Sequence, residues 1–395
     1  MRHVSVISVA AVVCLSLSLV FTAPGMNSPA LAQTPAPQAL SMVISATDSH
    51  GDPLPGIGKD QVSVFDGKDQ LQILGVQSAS ALPLQVGFVL LASKAKFDQE
   101  QAATIALAQK ILRPGVDEAF VVTAGGDKQW TDSHIAWLRD ANSVTEAVHG
   151  LDKNTGLPDL FSYQLHNDQA GLGRMSTQTY NLGTGFSVYD VIWLMMKNDP
   201  RPARRVVVMF SSGSAHSPGM NEQFAHHGNM GTSSSRSGRN SEQVTNSTEA
   251  AHNRVIGAAQ SLGVSFFTIG IDDQLTSADI GRNKVGTDYM PAHSGGNDGS
   301  ARAYDQNMDR AMEVQYMAGR DNVNRIADET GGRPYWTTKK NFPDAVVGIA
   351  AEISAQYVVN FAPPAAGADD PGPVKVQVSG AAHVSAPRAL GTASQ

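Results

Sequence analysis

Residues 86–114 read VGFVLLASKAKFDQEQAATIALAQKILRP. Val86, Phe88, Val89, Leu90 and Leu91 form one apolar run without polar alternation. Such a run suits a strand buried on both faces, as strands of parallel sheets are. From Asp98 the period changes. Ile105, Ala108, Ile111 and Leu112 recur at helical spacing, and Pro114 ends the helix. A buried strand handed straight to an amphipathic helix is the first half of a βαβ unit.

The alternation repeats along the chain. EAFVVTAGG (118–126) is a second strand, and SVTEAVHGL (143–151) a short helix with Ser143 and Glu146 as a capping box. SVYDVIWLMMKN (187–198) is a strongly apolar helix, and RRVVVMFSSG (204–213) a third strand around the unbroken apolar run 206–210. TEAAHNRVIGAAQSLG (248–263) is a helix closed by Gly263, followed by the strand VSFFTIGID (264–272). NVNRIADETGGRPYW (322–336) is a helix that stops at Gly331-Gly332 and leads into a short strand. FPDAVVGIAAEIS (342–354) is the last helix, AQYVVNFAPP (355–364) the last core strand, and PVKVQVSG (373–380) adds an edge strand. Strands separated by helices predict an α/β fold: a doubly wound, mostly parallel central sheet with helices on both faces.

A small N-terminal β segment precedes it. Met42, Ile44 and Ala46 alternate as a strand, and Val62, Val64 and Phe65 form another. DGK (66–68) is a tight hairpin, and Leu71, Ile73 and Val76 return the chain. About three strands are marginal alone, so this segment is expected to pack on the α/β domain. The expected organisation is a signal peptide (1–32), a linker (33–39), the β unit (40–80), the α/β domain (82–362) and a C-terminal edge strand and tail (363–395). Two long loops, 212–247 and 272–320, interrupt the α/β domain and carry no sustained apolar periodicity.

The signal-peptide expectation rests on Arg2 and His3, the apolar stretch 4–21, and Ala30-Leu31-Ala32 before Gln33. It implies export, to the periplasm or cell exterior, with membrane contact only where the segment stays uncleaved. Cys14, the single cysteine, lies inside the apolar stretch, so the cleaved chain has no thiol for disulfides, zinc or catalysis. The formal charge of −7 argues against nonspecific nucleic-acid binding, which needs a basic face.

Ligands of open α/β sheets bind beyond the carboxyl ends of the strands, at the point where strand order reverses. Here that edge is expected from 92–97, 183–187, 211–217 and 272–275. The order of VGFVLLASKAKF, LRPGVDEAFVVTAGG, GTGFSVYDVI, RRVVVMFSSGS, GVSFFTIGI and RIADETGGRPYW…AEISAQYVVNF resembles the VWFA-related domain family described from Acidobacteria-type bacteria. That family is a branch of the von Willebrand factor type A fold. Asp48, Gly51 and DGK at 66–68 match its N-terminal D-x-x-G…DGK pattern.

The resemblance implies a metal site built from Asp-x-Ser-x-Ser, a loop threonine and a second aspartate. This chain has Leu91, Ser93 and Ala95 at the first motif and Phe186 at the threonine, with Thr184 near but out of register. The second aspartate aligns within Ser211-Ser212-Gly213. Neutral hydroxyls do not replace the lost carboxylates around a divalent ion. The expectation is therefore a degenerate edge at Ser93, Thr184, Ser211 and Ser212 that binds without metal, cofactor or catalytic group. The expected function is an exported, non-enzymatic protein-binding or scaffold module for an unknown protein partner. The alternatives are a serine hydrolase acting from the long loops and a membrane-anchored envelope structural protein. His216, His226, His227 and His252 lack zinc-motif spacing, and GTSSS (231–235) lacks a helix behind a nucleophile. Trp130, Trp137, Tyr335 and Trp336 are expected to pack in the core or at the sheet edge before serving a ligand.

Overall fold

The computed structural model describes residues 39–91, 96–124, 128–129, 134–157, 179–181, 188–197, 201–211, 252–271, 320–337, 341–364 and 374–387. The expected signal segment and loop 212–247 lie outside them, as does loop 272–320 up to residue 319. In chain order the first elements are β1 Leu40–Thr47, β2 Val62–Asp66, β3 Asp69–Leu71, β4 Ile73–Ser78, β5 Leu84–Leu91, α1 Phe97–Ile111 and β6 Glu118–Ala124. Then come β7 Lys128–Gln129, β8 His134–Ala136, α2 Ala141–His149, β9 Thr155–Gly156, β10 Thr179–Asn181, α3 Val188–Lys197 and β11 Arg204–Ser211. Helix α4 covers 252–262, before β12 Val264–Ile271, and helix α5 covers 320–330, before β13 Pro334–Thr337. The chain closes with α6 Phe342–Ser354, β14 Tyr357–Phe361, β15 Val374–Val378 and β16 His383–Ser385.

The central sheet has five parallel strands in the order β13-β12-β11-β5-β6. Strand β5 therefore lies between β6, its successor, and β11, to which the chain jumps back. That is the switch point of a doubly wound sheet. Helices cover both faces. Leu84, Val86, Phe88 and Leu90 of β5 pack with Leu107 of α1, Val144 of α2 and Ile349 of α6. Val89 packs on the other face with Val191 of α3, Val255 of α4 and Ile326 of α5. Gly87 is needed because Phe120, its partner across the β5–β6 ladder, fills the place of a side chain there. The α/β expectation is met, with the runs 86–91, 204–211 and 264–271 as inner strands.

The strand expected to end this sheet goes elsewhere. β14 pairs antiparallel with β1, from Leu40↔Phe361 to Ile44↔Tyr357, and with β4 on its other side. It is the third strand in a separate sheet, β16-β1-β14-β4. β15 likewise joins β2 and β3, whose hairpin turns at Gly67 with φ +59. Met42, Ile44, Val64, Ile73, Val359 and Phe361 form the core of this β module. The N-terminal segment is thus completed by strands from the far end of the chain, which answers its lack of strands at the sequence level. Alternation alone does not say which sheet a strand joins, so it does not separate 357–361 from the parallel strands.

Two helix details also differ. The buried stripe of α1 is Phe97, Glu100, Ala103, Thr104, Leu107, Ala108 and Ile111, while Ile105 is only half-buried. The apolar face is turned so that a glutamate and a threonine come inside. Helix α2 starts at Ala141, and Asp140 caps it by accepting a hydrogen bond from the Ser143 N–H at 2.7 Å. An extended aspartate just before the helix displaces the capping box expected at Ser143 and Glu146.

Candidate functional site at the switch-point edge

The carboxyl ends of β5 and β11 meet at the switch point. The ladder pairs Val89 with Met209, two residues before each strand ends at Leu91 and Ser211. Ser211 pairs on its other side with Gly270 of β12. Of the expected edge residues, Ser211 is placed here by its backbone. Ser93, Thr184 and Ser212 lie outside the described residues.

The edge also holds a group that the sequence pattern does not single out. Glu100, in the first turn of α1, is 2 % exposed. Its Oε2 accepts the backbone N–H of Leu91 at 2.7 Å, so the end of β5 and the start of α1 are tied directly. Burial pushes the Glu100 carboxyl up to about 8, against the opposing pull of the Leu91 N–H and of Lys96. The carboxyl is therefore mostly protonated at pH 7. One helical turn on, Thr104 is fully buried, and its Oγ1 has no hydrogen-bond partner among the described residues. The signal for this pair was present in the spacing Glu100–Thr104–Leu107–Ile111, a helical stripe one step round from the one through Ile105.

Further along the same edge, Trp336 at the end of β13 lies against Gly270, where a Cβ would overlap the indole ring. Its Nε1 donates to Asn324 Oδ1, and the Arg320 guanidinium stands 4.4 Å from the ring centroid. Tyr335 packs on the opposite face and donates to Glu352 Oε1 at 2.6 Å, an oxygen that also accepts from Arg333 Nη1 at 2.7 Å. Burial and the adjoining carboxylate push the Tyr335 hydroxyl well above the ordinary tyrosine value. Trp137 meets Phe120 edge-on at 5.4 Å. These three aromatics are packing groups, as expected; Trp130 lies outside the described residues.

The opposite edge of the sheet is a tie of another kind. Asp117, just before β6, is fully buried and bonded to the Leu84 N–H and to Arg113. Arg113 also donates to the carbonyls of Ser80 and Leu82. Arg204 at the start of β11 donates to Ile353 O at 2.6 Å. These contacts lock strand starts to helix ends and face no cleft edge of the kind α/β sheets use for ligands.

No known family model matches the chain, and no curated protein does. Among solved structures, it is similar to a von Willebrand factor type A protein from Catenulispora acidiphila, with a TM-score of 0.36 and 9 % identity over 90 % of this chain and 73 % of that one. A likeness at that level speaks to neither site nor activity. Among the described residues, no three of His, Cys, Asp and Glu come together, and His252 is the one of the four singled-out histidines that is described, buried in α4. No helix among the described residues is long and apolar enough to cross a membrane.

Proposed function

We propose that this chain is an exported, non-enzymatic protein-binding or scaffold module. Its contact surface is the carboxyl-end edge of the parallel sheet, and it works without a bridging metal ion. The observation that carries the proposal is the pair of strand ends at the switch point. β5 ends in Leu91 and β11 in Ser211, so neither supplies a carboxylate. A divalent ion of the Mg²⁺ type gives up its water shell reluctantly and wants carboxylate oxygens in exchange. The acid that does reach the end of β5, Glu100, is buried, protonated at neutral pH and bonded to the backbone. The sequence resemblance to VWFA-related proteins and the N-terminal apolar stretch closing on Ala30-Leu31-Ala32 support the same assignment. Loops carried on a rigid α/β frame are where recognition surfaces usually form.

The test uses the purified exported chain. Its melting temperature is measured with Mg²⁺, with Mn²⁺ and with a chelator, and partner capture from the native envelope is repeated in chelator. The expected result is one melting temperature throughout and capture that survives chelation. An ion at 100 times its dissociation constant adds about 2.7 kcal/mol, so a rise of several degrees with Mg²⁺, or loss of capture in chelator, overturns the proposal.

A further inference from the structure

We propose that the Glu100 carboxyl is a protonation-sensitive latch between the first turn of α1 and the last residue of β5. It fastens the switch-point edge of the sheet in acid and loosens it as the medium becomes alkaline. The latch is separate from the binding role and holds whatever the edge contacts.

The geometry comes first. Glu100 Oε2 takes the N–H of Leu91 at 2.7 Å, and the residue is 2 % exposed. Among the described residues, the elements packed around it offer little to a buried charge. Just before α1, Lys96 acts on the carboxyl through space, and on α1 itself Thr104 presents a buried hydroxyl one turn away. On α2, which packs beside α1, Glu146 and His149 are exposed. On α6, Asp344 is exposed, and Glu352 is bonded to Arg333 and Tyr335. Towards their carboxyl ends, β5 and β11 present Phe88, Leu90 and Phe210 to this face. Asp117, Glu118 and Arg204 stand at the opposite end of the strands. A neutral carboxyl is at home in such a setting. Among the described residues, a carboxylate there has one backbone N–H and one lysine to set against the loss of its water shell.

The sign comes from linkage. Closed, the carboxyl keeps its proton up to about pH 8; opened to water, it ionises near the ordinary value of 4.5. Opening therefore releases a proton between those limits. The latch is at full strength below pH 4.5, weakens by up to roughly tenfold per pH unit, and levels off above pH 8. Ionisation pulls the carboxylate toward solvent and takes the first turn of α1 away from Leu91.

Hydrogen exchange on the full chain, corrected for the intrinsic pH dependence, tests this at pH 5 and pH 8 in the wild type and in Glu100→Gln. The expected result for the wild type is at least a ~10-fold loss of protection at Leu91 and at Gln101 to Thr104, with little change in β12. Glu100→Gln keeps an acceptor for the Leu91 N–H and has no proton to lose, so its protection is expected to stay flat. A carbon-13 titration of Glu100 in the wild type is independent of how the variant folds, and its midpoint is expected well above 4.5. A midpoint near 4.5, or the same loss of protection in Glu100→Gln, overturns the proposal.

Discussion

Replacing Asp117 with asparagine removes the charge that ties the starting ends of β5 and β6 to the end of α1. Asp117 accepts from Leu84 N at 2.7 Å, Arg113 N at 2.8 Å, Arg113 Nε at 2.8 Å and Arg113 Nη2 at 2.7 Å. Each oxygen takes two of these bonds. Asparagine keeps the shape and one such oxygen, but its amide nitrogen donates. Whichever way the amide turns, two donors face a donor. A hydrogen bond to a charged group contributes about 1.5–3 kcal/mol. Two are lost, and one backbone N–H, that of Leu84 or that of Arg113, is left facing the amide nitrogen. The Arg113 side chain is 41 % exposed, so water recovers part of its share. The net cost is about 3 kcal/mol, measured as the shift in urea unfolding at pH 7. The pH dependence supplies a second check. Burial alone pushes the Asp117 carboxyl up, yet Arg113 and the N–H groups of Leu84 and Arg113 outweigh it and hold the carboxyl below 3.8. A depressed folded value means that the stabilisation is complete above pH 3.8 and is lost as pH falls through the lower folded value. The gap between wild type and variant should therefore close in strong acid. A loss under about 1 kcal/mol at pH 7, or a gap that survives below the folded value, refutes the assignment of this tie to the carboxylate.

Two further outcomes come from the packing. Gly332→Ala places a Cβ on the carbonyl group of Phe266 in β12, backbone against side chain, and Gly331 before it already holds φ +83. Neither neighbour can swing aside, so thermal unfolding should show a loss of about 3 kcal/mol; a neutral variant would mean that α5 and β13 approach β12 less closely. Phe361→Ala empties part of the β-module core, where Phe361 is fully buried, at a cost of about 3–5 kcal/mol. Hydrogen exchange should accelerate in β1 and β4, its ladder partners, more than in β12 and β13; the reverse pattern would return the strand to the central sheet.

How much was legible in the sequence varies by element. The runs 86–91 and 206–210 are apolar without alternation, and that pattern belongs to strands covered on both faces. With helices between them, the wound parallel sheet was determined locally, and so was its switch-point edge. That Leu91 and Ser211 carry no acid was equally plain, since residue identity needs no coordinates. Gly67 in the DGK turn and Gly263 after α4 mark positions with positive φ, a conformation that glycine adopts without a Cβ penalty.

Two decisions belonged to the tertiary structure alone. Tyr357–Phe361 has the alternation of a strand in any sheet, and only long-range closure on β1 and β4 assigned it to the β module. Glu100 reads in the sequence as one acid in the first turn of a helix, a place where acids are ordinarily exposed and favoured. What makes it a buried, protonated group is the covering by strands and helices distant in the chain. Periodicity reports which side of an element a residue occupies. The partner it meets there, and the water it loses in doing so, depend on contacts between distant parts of the chain.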